Sequence, residues 1–312
     1  MSEEIQDVIM IGAGPSSLSA AIYTTREDIS TVLYEKAVVG GLAAITDKID
    51  NYPGFPDGID GLDLADRLRK QAERFGAIIE VGDVSMVRDE GDIKIVTVDG
   101  VEMKARTILI ATGSANNKLL VPGEAEYYGR GVHYCATCDG AFYRGRRIAV
   151  IGGGNSAVQE AIFLTRFASH IDLIVRSTVK ASEILQNDLQ KFVNEGKITI
   201  HIGSVTDEIV ATDGKVTSVR VIKDGKEELI KTDGVFVFAG LRPNTAFLAG
   251  SGVELDELGF VKTNLNLQTN ISGIFASGDV RSGATMQIAS AVGEGATAAL
   301  SIREYLGSKT QG

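Results

Sequence analysis

Cys135 and Cys138 are the only cysteines among 312 residues, in the run Cys135-Ala136-Thr137-Cys138-Asp139-Gly140. Two thiols at that spacing can close a small disulfide ring. At a helix N-terminus one of them can have a lowered pKa, so that a thiolate forms near neutral pH and attacks a disulfide or a flavin. A zinc site needs about four ligands, and beyond the two thiols the chain offers only the imidazoles of His133, His170 and His201. A structural staple closing so short a loop removes little unfolded-chain entropy. Redox use is therefore favoured. Asp139, next to Cys138, is placed to move protons for the pair. Capping a helix N-terminus is an equal second use for that residue.

The elements that must position this pair announce themselves through an internal repeat. Val8-Ile9-Met10-Ile11-Gly12-Ala13-Gly14-Pro15-Ser16-Ser17 matches Ile148-Ala149-Val150-Ile151-Gly152-Gly153-Gly154-Asn155-Ser156-Ala157 at an offset of 140 residues. The match runs on through Ala21 and Ala161, Ile22 and Ile162, Thr25 and Thr165, Arg26 and Arg166. Each copy reads as an apolar strand, a glycine turn and a helix. Each is followed by a second apolar run, Thr31 to Tyr34 or Ile171 to Val175, which completes a βαβ unit. In such a turn the first glycine allows the tight bend and the second lets a pyrophosphate approach the backbone. The helix N-terminus adds partial positive charge. Ser17 at the third position is larger than the usual glycine or alanine and is expected to push its helix slightly outward. Glu35, 23 residues beyond Gly12, stands where an acid accepts hydrogen bonds from a ribose.

A period this long implies two nucleotide-binding domains of similar fold rather than a solenoid. Further strands are expected at Thr107 to Ala111, Gly234 to Ala239 and Ile274 to Ala276, with hairpin turns at Asp99-Gly100 and Asp224-Gly225. Turn-rich stretches at Gly113 to Lys118 and Arg242 to Thr245 are the linker candidates. Hydrophobic residues make up 44% and charged residues 23%, an ordinary balance for a globular enzyme. The net charge of −10 argues against nucleic acid as a partner. No apolar run is long enough to span a bilayer, and the acidic start Met1-Ser2-Glu3-Glu4 does not read as a secretory signal. The expectation is a cytoplasmic protein, in which a disulfide is more often catalytic than structural.

The run from Gly129 to Arg144, centred on Cys135-Ala136-Thr137-Cys138-Asp139-Gly140, resembles the active-site segment of the low-molecular-weight thioredoxin reductases. Gly40-Gly41, Asp50-Asn51-Tyr52-Pro53-Gly54, Ala111-Thr112-Gly113 and Ile274-Phe275-Ala276-Ser277-Gly278-Asp279-Val280 resemble the segments that lie near the flavin in that family. The resemblance implies an α/β fold of two Rossmann-like, three-layer ββα domains, the second inserted into the first. Residues 1–116 and 246–312 would form the FAD domain and residues 117–245 a pyridine-nucleotide-like domain carrying the disulfide. It implies a homodimer whose inner domain rotates, and a path from reduced flavin through Cys135–Cys138 to a thioredoxin-like protein. Cys138 would face the flavin and Cys135 would attack the substrate. By position, FAD would be held by Gly12, Gly14, Pro15, Ser16, Glu35, Gly41, Leu42, Asn51, Val84, Ala111, Gly278, Asp279 and Gln287. A nicotinamide nucleotide would lie against Gly152, Gly154, Asn155, Ser156, Arg176 and Lys180.

The chain departs from the family where NADP(H) is recognised. NADPH-using members carry His-Arg-Arg-x-x-x-Arg, whose guanidinium groups hold the 2′-phosphate. This chain has Val175-Arg176-Ser177-Thr178-Val179-Lys180. Lysine offers a point charge where arginine offers a fork. An NADH site would place an acid where Val175 stands, so the sequence specifies neither nicotinamide. Leu42 replaces a glutamine, and Met286 stands where a basic residue is common. The expectation is a flavin-dependent thioredoxin reductase, with NADPH as the donor that the resemblance implies. Because of the altered Val175 to Lys180 stretch, weak nicotinamide use with another donor such as reduced ferredoxin is the alternative. A flavin-dependent dithiol oxidase and a non-enzymatic redox-sensing flavoprotein are the competing readings.

Overall fold

The computed structural model describes residues 5–46 and 48–310. It divides into two compact units, residues 1–115 with 242–312 and residues 116–241. In the first, β1 (Gln6–Ile11) runs into α1 (Pro15–Thr25) and β2 (Thr31–Glu35). α2 (Gly61–Arg74) and β3 (Ile78–Val81) come next, then the antiparallel run β4 (Val84–Glu90), β5 (Ile93–Val98) and β6 (Val101–Ile110). The strand order is β3-β2-β1-β6-β5-β4. The last four residues of β1, Val8 to Ile11, are all apolar because both faces of the strand are covered there. Val8 and Met10 pack towards α1, while Ile9 and Ile11 pack towards the β4–β6 meander. This gives three layers of helix, parallel sheet and meander.

A short strand, β7 (Ser114–Asn116), leads into the inserted unit. There β8 (Val132–His133), α3 (Ala136–Asp139), β9 (Arg147–Ile151), α4 (Asn155–Leu164), β10 (His170–Val175), α5 (Glu183–Asn194) and β11 (Ile198–Ile202) follow in order. A second meander is made by β12 (Ser204–Thr212), β13 (Lys215–Lys223) and β14 (Lys226–Lys231), and β15 (Val235–Val237) completes the sheet. The parallel order is β11-β10-β9-β15-β8. Ile148, Val150 and Leu173 face the helices; Ala149, Ile151 and Ile174 face the meander. The chain returns through β16 (Leu241–Pro243), which pairs with β7. It then adds β17 (Ile274–Ala276) beside β6 and ends in α6 (Ile288–Thr310).

The repeat seen in the sequence is thus two βαβ units of the same form. Asp99-Gly100 and Asp224-Gly225 close two-residue hairpins with positive φ at both positions. Asp213-Gly214 closes a third between β12 and β13, which the sequence reading passed over. The turn-rich stretches around residues 114 and 242 are not loops throughout, since β7 and β16 pair there. Their short runs of polar residues and glycine carry too little hydrophobic alternation to read as strands.

Candidate functional site

In the inserted unit, Cys135 and Cys138 are joined as a disulfide, with Cα atoms 5.3 Å apart. Cys135 is the N-cap of α3, and its Sγ accepts a hydrogen bond from the Cys138 N–H at 3.1 Å. Such a donor favours negative charge on Cys135 once the bond is broken. Asp139 does not cap α3 with its side chain, which removes one of the two uses read from the sequence. Its carboxylate lies instead 3.3 Å from Nδ1 of the buried His133. His133 Nε2 stands 2.8 Å from the Tyr143 hydroxyl, whose pKa is pushed up to about 12 by burial and then by the Asp139 charge.

The segment is clamped from both ends. Gly140 packs so closely on α4 that a Cβ there would lie 2.7 Å from Leu164 Cδ2. On the other side Tyr134 donates to Glu124 at 2.6 Å, and burial raises the proton affinity of its phenol. Glu124 also accepts from the backbone N–H groups of Leu119 and Leu120, at 2.8 and 2.7 Å. Sequence reading noticed His133 only as a spare imidazole and passed over Tyr143, Glu124 and Tyr134. Their partners lie about ten residues away in the chain, with no spacing rule to mark them.

The first unit holds a cradle built on the first glycine turn. At Gly12, φ is +93° and a Cβ would lie 2.6 Å from the Ala111 carbonyl oxygen, so the chain passes too close for a side chain. A Cβ at Gly14 would meet nothing within 4 Å, which leaves the face over the α1 N-terminus open. Pro15 is the first residue of α1, and no side chain caps the helix, so its first N–H groups keep their donors free. Glu35, at the end of β2, accepts from Ala13 N–H at 2.8 Å and Ala37 N–H at 2.9 Å, which aligns its carboxylate beside the turn. Ser16 Oγ is 2.6 Å from Ser277 Oγ, tying the turn to the segment that carries Gly278 and Asp279. Ser17 is fully buried, with its hydroxyl unpartnered among the described residues.

The remaining residues of that unit divide into two groups. Gly41 and Leu42 lie on a short 3-10 helix, Gly41–Ala43, with Leu42 exposed. Asn51 Nδ2 donates to Gln287 Oε1 at 3.1 Å, so two candidates far apart in sequence meet. Ala111 is buried beside Gly12, and Val84 is buried in the core between sheet and meander. Asp279 has a pKa raised to about 6 by burial and by the nearby Glu294 carboxylate. Glu294 itself accepts from the Gly278 N–H at 2.8 Å and pairs with Arg281 at 2.6 Å, which fixes the segment around Asp279. Glu294 was not marked in the sequence; only the fold brings α6 against that turn.

The second glycine turn repeats the first. Gly152 has φ +144° and approaches the Phe238 carbonyl oxygen, where a Cβ would lie at 2.4 Å, while Gly154 faces open space. No side chain caps α4, and Asn155 and Ser156 at its start are exposed. The loop after β10 folds back on this turn: Lys180 N–H donates to the Gly153 carbonyl at 2.6 Å and Ser182 N–H to Asn155 Oδ1 at 2.8 Å. Val175 is buried, and Arg176 and Lys180 are exposed. The open face at Gly154 and the uncapped start of α4 are features that suit an anion. An arginine fork for a 2′-phosphate is not formed there, nor is an acid for a free ribose hydroxyl.

The model of the family described as pyridine nucleotide-disulphide oxidoreductase matches residues 6–295. A thioredoxin reductase of Bacillus subtilis is 42% identical over 310 residues, 98% of this chain and 96% of that protein. One of Listeria innocua is 42% identical over 307 residues, 97% of this chain and 95% of the relative. The crystal structure of thioredoxin reductase from Streptococcus pyogenes superposes with a TM-score of 0.92 at 38% identity, covering 98% of this chain and all of that one.

Proposed function

The chain belongs to the pyridine nucleotide-disulphide oxidoreductase family, and on that premise we propose that it is an FAD-dependent thioredoxin reductase whose disulfide is Cys135–Cys138. The observation that carries this reading is the disulfide itself, with a backbone donor on Cys135 Sγ and the Asp139 carboxyl group on the residue after Cys138. When bound, FAD would supply an electron pair to the disulfide. Gly12, Gly14, Pro15 and Ser16 would hold its pyrophosphate and Glu35 a ribose hydroxyl. Asp279 would accept from another FAD hydroxyl, with Gly278 beside it. Gly41, Leu42, Asn51, Ala111 and Gln287 would lie along the rest of the molecule. Val84 is enclosed in the core and would act only by shaping the wall.

The protein side of the reaction needs a nucleophile, a resolving thiol and a carrier for two protons. Cys135 gives its proton to the Asp139 carboxylate and attacks one sulfur of the thioredoxin disulfide. That S–S bond breaks, and the departing sulfur keeps the electron pair and takes the proton from Asp139. Cys138 then gives its own proton to Asp139 and attacks Cys135. The mixed disulfide breaks, Cys135–Cys138 re-forms, and the second thioredoxin sulfur takes the second proton. One electron pair and two protons have moved to thioredoxin. The 3.1 Å contact from the Cys138 N–H supports Cys135 as the attacking sulfur.

No step is assigned to NADPH. Arg176 and Lys180 form no fork, and Val175 is neither cation nor acid, which supports a donor outside the nicotinamides, such as reduced ferredoxin. Anaerobic mixing of the yellow protein with NADPH, NADH or reduced ferredoxin, followed by flavin absorbance, tests the donor. The expected result is slow bleaching by both nicotinamides and fast bleaching by ferredoxin. Rapid bleaching by micromolar NADPH would sink this part of the reading. A homodimer and a thioredoxin-like partner belong to the same proposal.

A further inference from the structure

Nothing in the exchange chemistry above uses His133, yet it is a titratable side chain on β8, two residues before the disulfide segment, buried at 6% exposure. Its ring lies 5.2 Å from Phe236 and 5.4 Å, edge-on, from Tyr143. The pocket is closely fitted. A Cβ at Gly234 would fall 2.2–2.6 Å from Tyr143 ring and hydroxyl atoms, so only glycine there lets the phenol reach the imidazole. Nε2 is hydrogen-bonded to the Tyr143 hydroxyl at 2.8 Å, and Nδ1 lies 3.3 Å from Asp139 Oδ2. The Tyr143 phenol keeps its proton at neutral pH because burial and the Asp139 charge oppose its ionisation. It therefore serves as the donor to Nε2, which places the ring N–H on Nδ1, the nitrogen on the side of Asp139.

We propose that His133 is a positioning residue for thiol–disulfide exchange: its Nδ1–H, fixed by Tyr143, orients the Asp139 carboxylate and sets the pH range over which Asp139 takes and returns protons. The inference rests on the reading of Asp139 as the proton carrier for Cys135 and Cys138. No proton leaves through His133. The imidazole edge, 3.3 Å from the carboxylate, favours its charge in the intervals when Asp139 has handed its proton to a departing sulfur, and the same contact holds the group in place for the next proton. The charged and titratable groups around the pair are Asp139 from α3, Tyr143 from the 3-10 turn that follows, and Arg146 and Asp233, whose charges reach Tyr143. β15 presents the uncharged Phe236.

The test measures the rate at which dithiol-reduced, FAD-loaded protein reduces oxidised thioredoxin, from pH 5.5 to 9. Wild type is compared with His133→Leu, His133→Asn, Tyr143→Phe and Asp139→Asn. Flavin absorbance and circular dichroism confirm that each variant is folded. His133→Leu is expected to slow exchange about tenfold at pH 7 and to move the acidic limb of the profile to higher pH, because the carboxylate loses a donor. His133→Asn keeps an N–H in the Nδ1 position and restores the wild-type limb. Tyr143→Phe moves the limb the same way by a smaller amount. A His133→Leu profile that coincides with wild type overturns the proposal, and so does His133→Asn behaving as His133→Leu. If His133→Leu does not fold, Tyr143→Phe coinciding with wild type overturns it instead. Asp139→Asn separates the two layers: if it leaves rate and profile unchanged, the proton-carrier reading itself is wrong. If only Asp139→Asn has an effect, that reading stands and the role of His133 falls.

Discussion

A carboxylate withdrawn from water beside a second carboxylate is costly to ionise, and Asp279 is in that position, with a pKa raised to about 6 by burial and by Glu294. In the FAD-free chain the folded state therefore favours the neutral acid. Its contribution is present below pH 4 and is lost as pH rises through about 6. Asp279→Asn is expected to stabilise the FAD-free protein at pH 8 by up to about 3 kcal/mol, seen as a higher melting temperature, and to leave its stability unchanged at pH 4. The same change removes a charged acceptor for an FAD hydroxyl and weakens FAD binding about ten- to a hundredfold. Calorimetry on the stripped protein and flavin titration measure the two effects, and stabilisation at pH 4 equal to that at pH 8 contradicts the account. At the disulfide, Cys138→Ser leaves Cys135 to attack but nothing to resolve the product. It is expected to accumulate a mixed disulfide with thioredoxin on a non-reducing gel, whereas Cys135→Ser accumulates little. The reverse pattern would exchange the two roles. Sequence reading reached the cysteines and Asp139 because they are rare or adjacent. It did not reach Tyr143 or Glu294, whose importance comes from a 2.8 Å contact with His133 and from a bond across 16 residues.

At the scale of elements, the two glycine turns share a sequence pattern and divide the work within it in the same way. Gly12 and Gly152 are needed by the backbone, with positive φ and a neighbouring carbonyl within 2.6 Å of any Cβ. Gly14 and Gly154 face open space. Gly12→Ala is therefore expected to cost about 3 kcal/mol or more, since it adds strain to overlap, and to yield colourless protein. Gly154→Ala is expected to fold as wild type, and to leave turnover with the physiological donor unchanged where the second turn holds no nucleotide during catalysis. Thermal melts and flavin content check the first, steady-state rates the second. A large loss of rate in Gly154→Ala points to a nucleotide in the second turn after all. These turns were legible because strand, glycines and helix sit in one short stretch and occur twice. The pairing of β7 with β16 was not, because it joins segments more than 120 residues apart that carry little apolar alternation. The third hairpin, at Asp213-Gly214, had the same signal as the two that were read.

For the whole molecule, each unit has a complete three-layer core of its own, with one hydrophobic cluster on each face of its sheet. The first unit carries the glycine-turn cradle proposed to hold FAD, and the second carries the disulfide and a second glycine turn beside the exposed Arg176 and Lys180. Among the described residues no helix is long and apolar enough to cross a membrane. The central claim is that electrons held as reduced flavin leave through Cys135 and Cys138 to thioredoxin, and one anaerobic experiment tests it directly. The FAD-loaded protein is photoreduced until the flavin is colourless and then mixed with excess oxidised thioredoxin while flavin absorbance and thioredoxin thiols are recorded. The account predicts that the yellow colour returns within the mixing experiment in step with new thioredoxin thiols, and that it does not return in a Cys135→Ser, Cys138→Ser double variant. Flavin that stays reduced in the wild type until oxygen is admitted, or that reoxidises equally well without the cysteines, would contradict it.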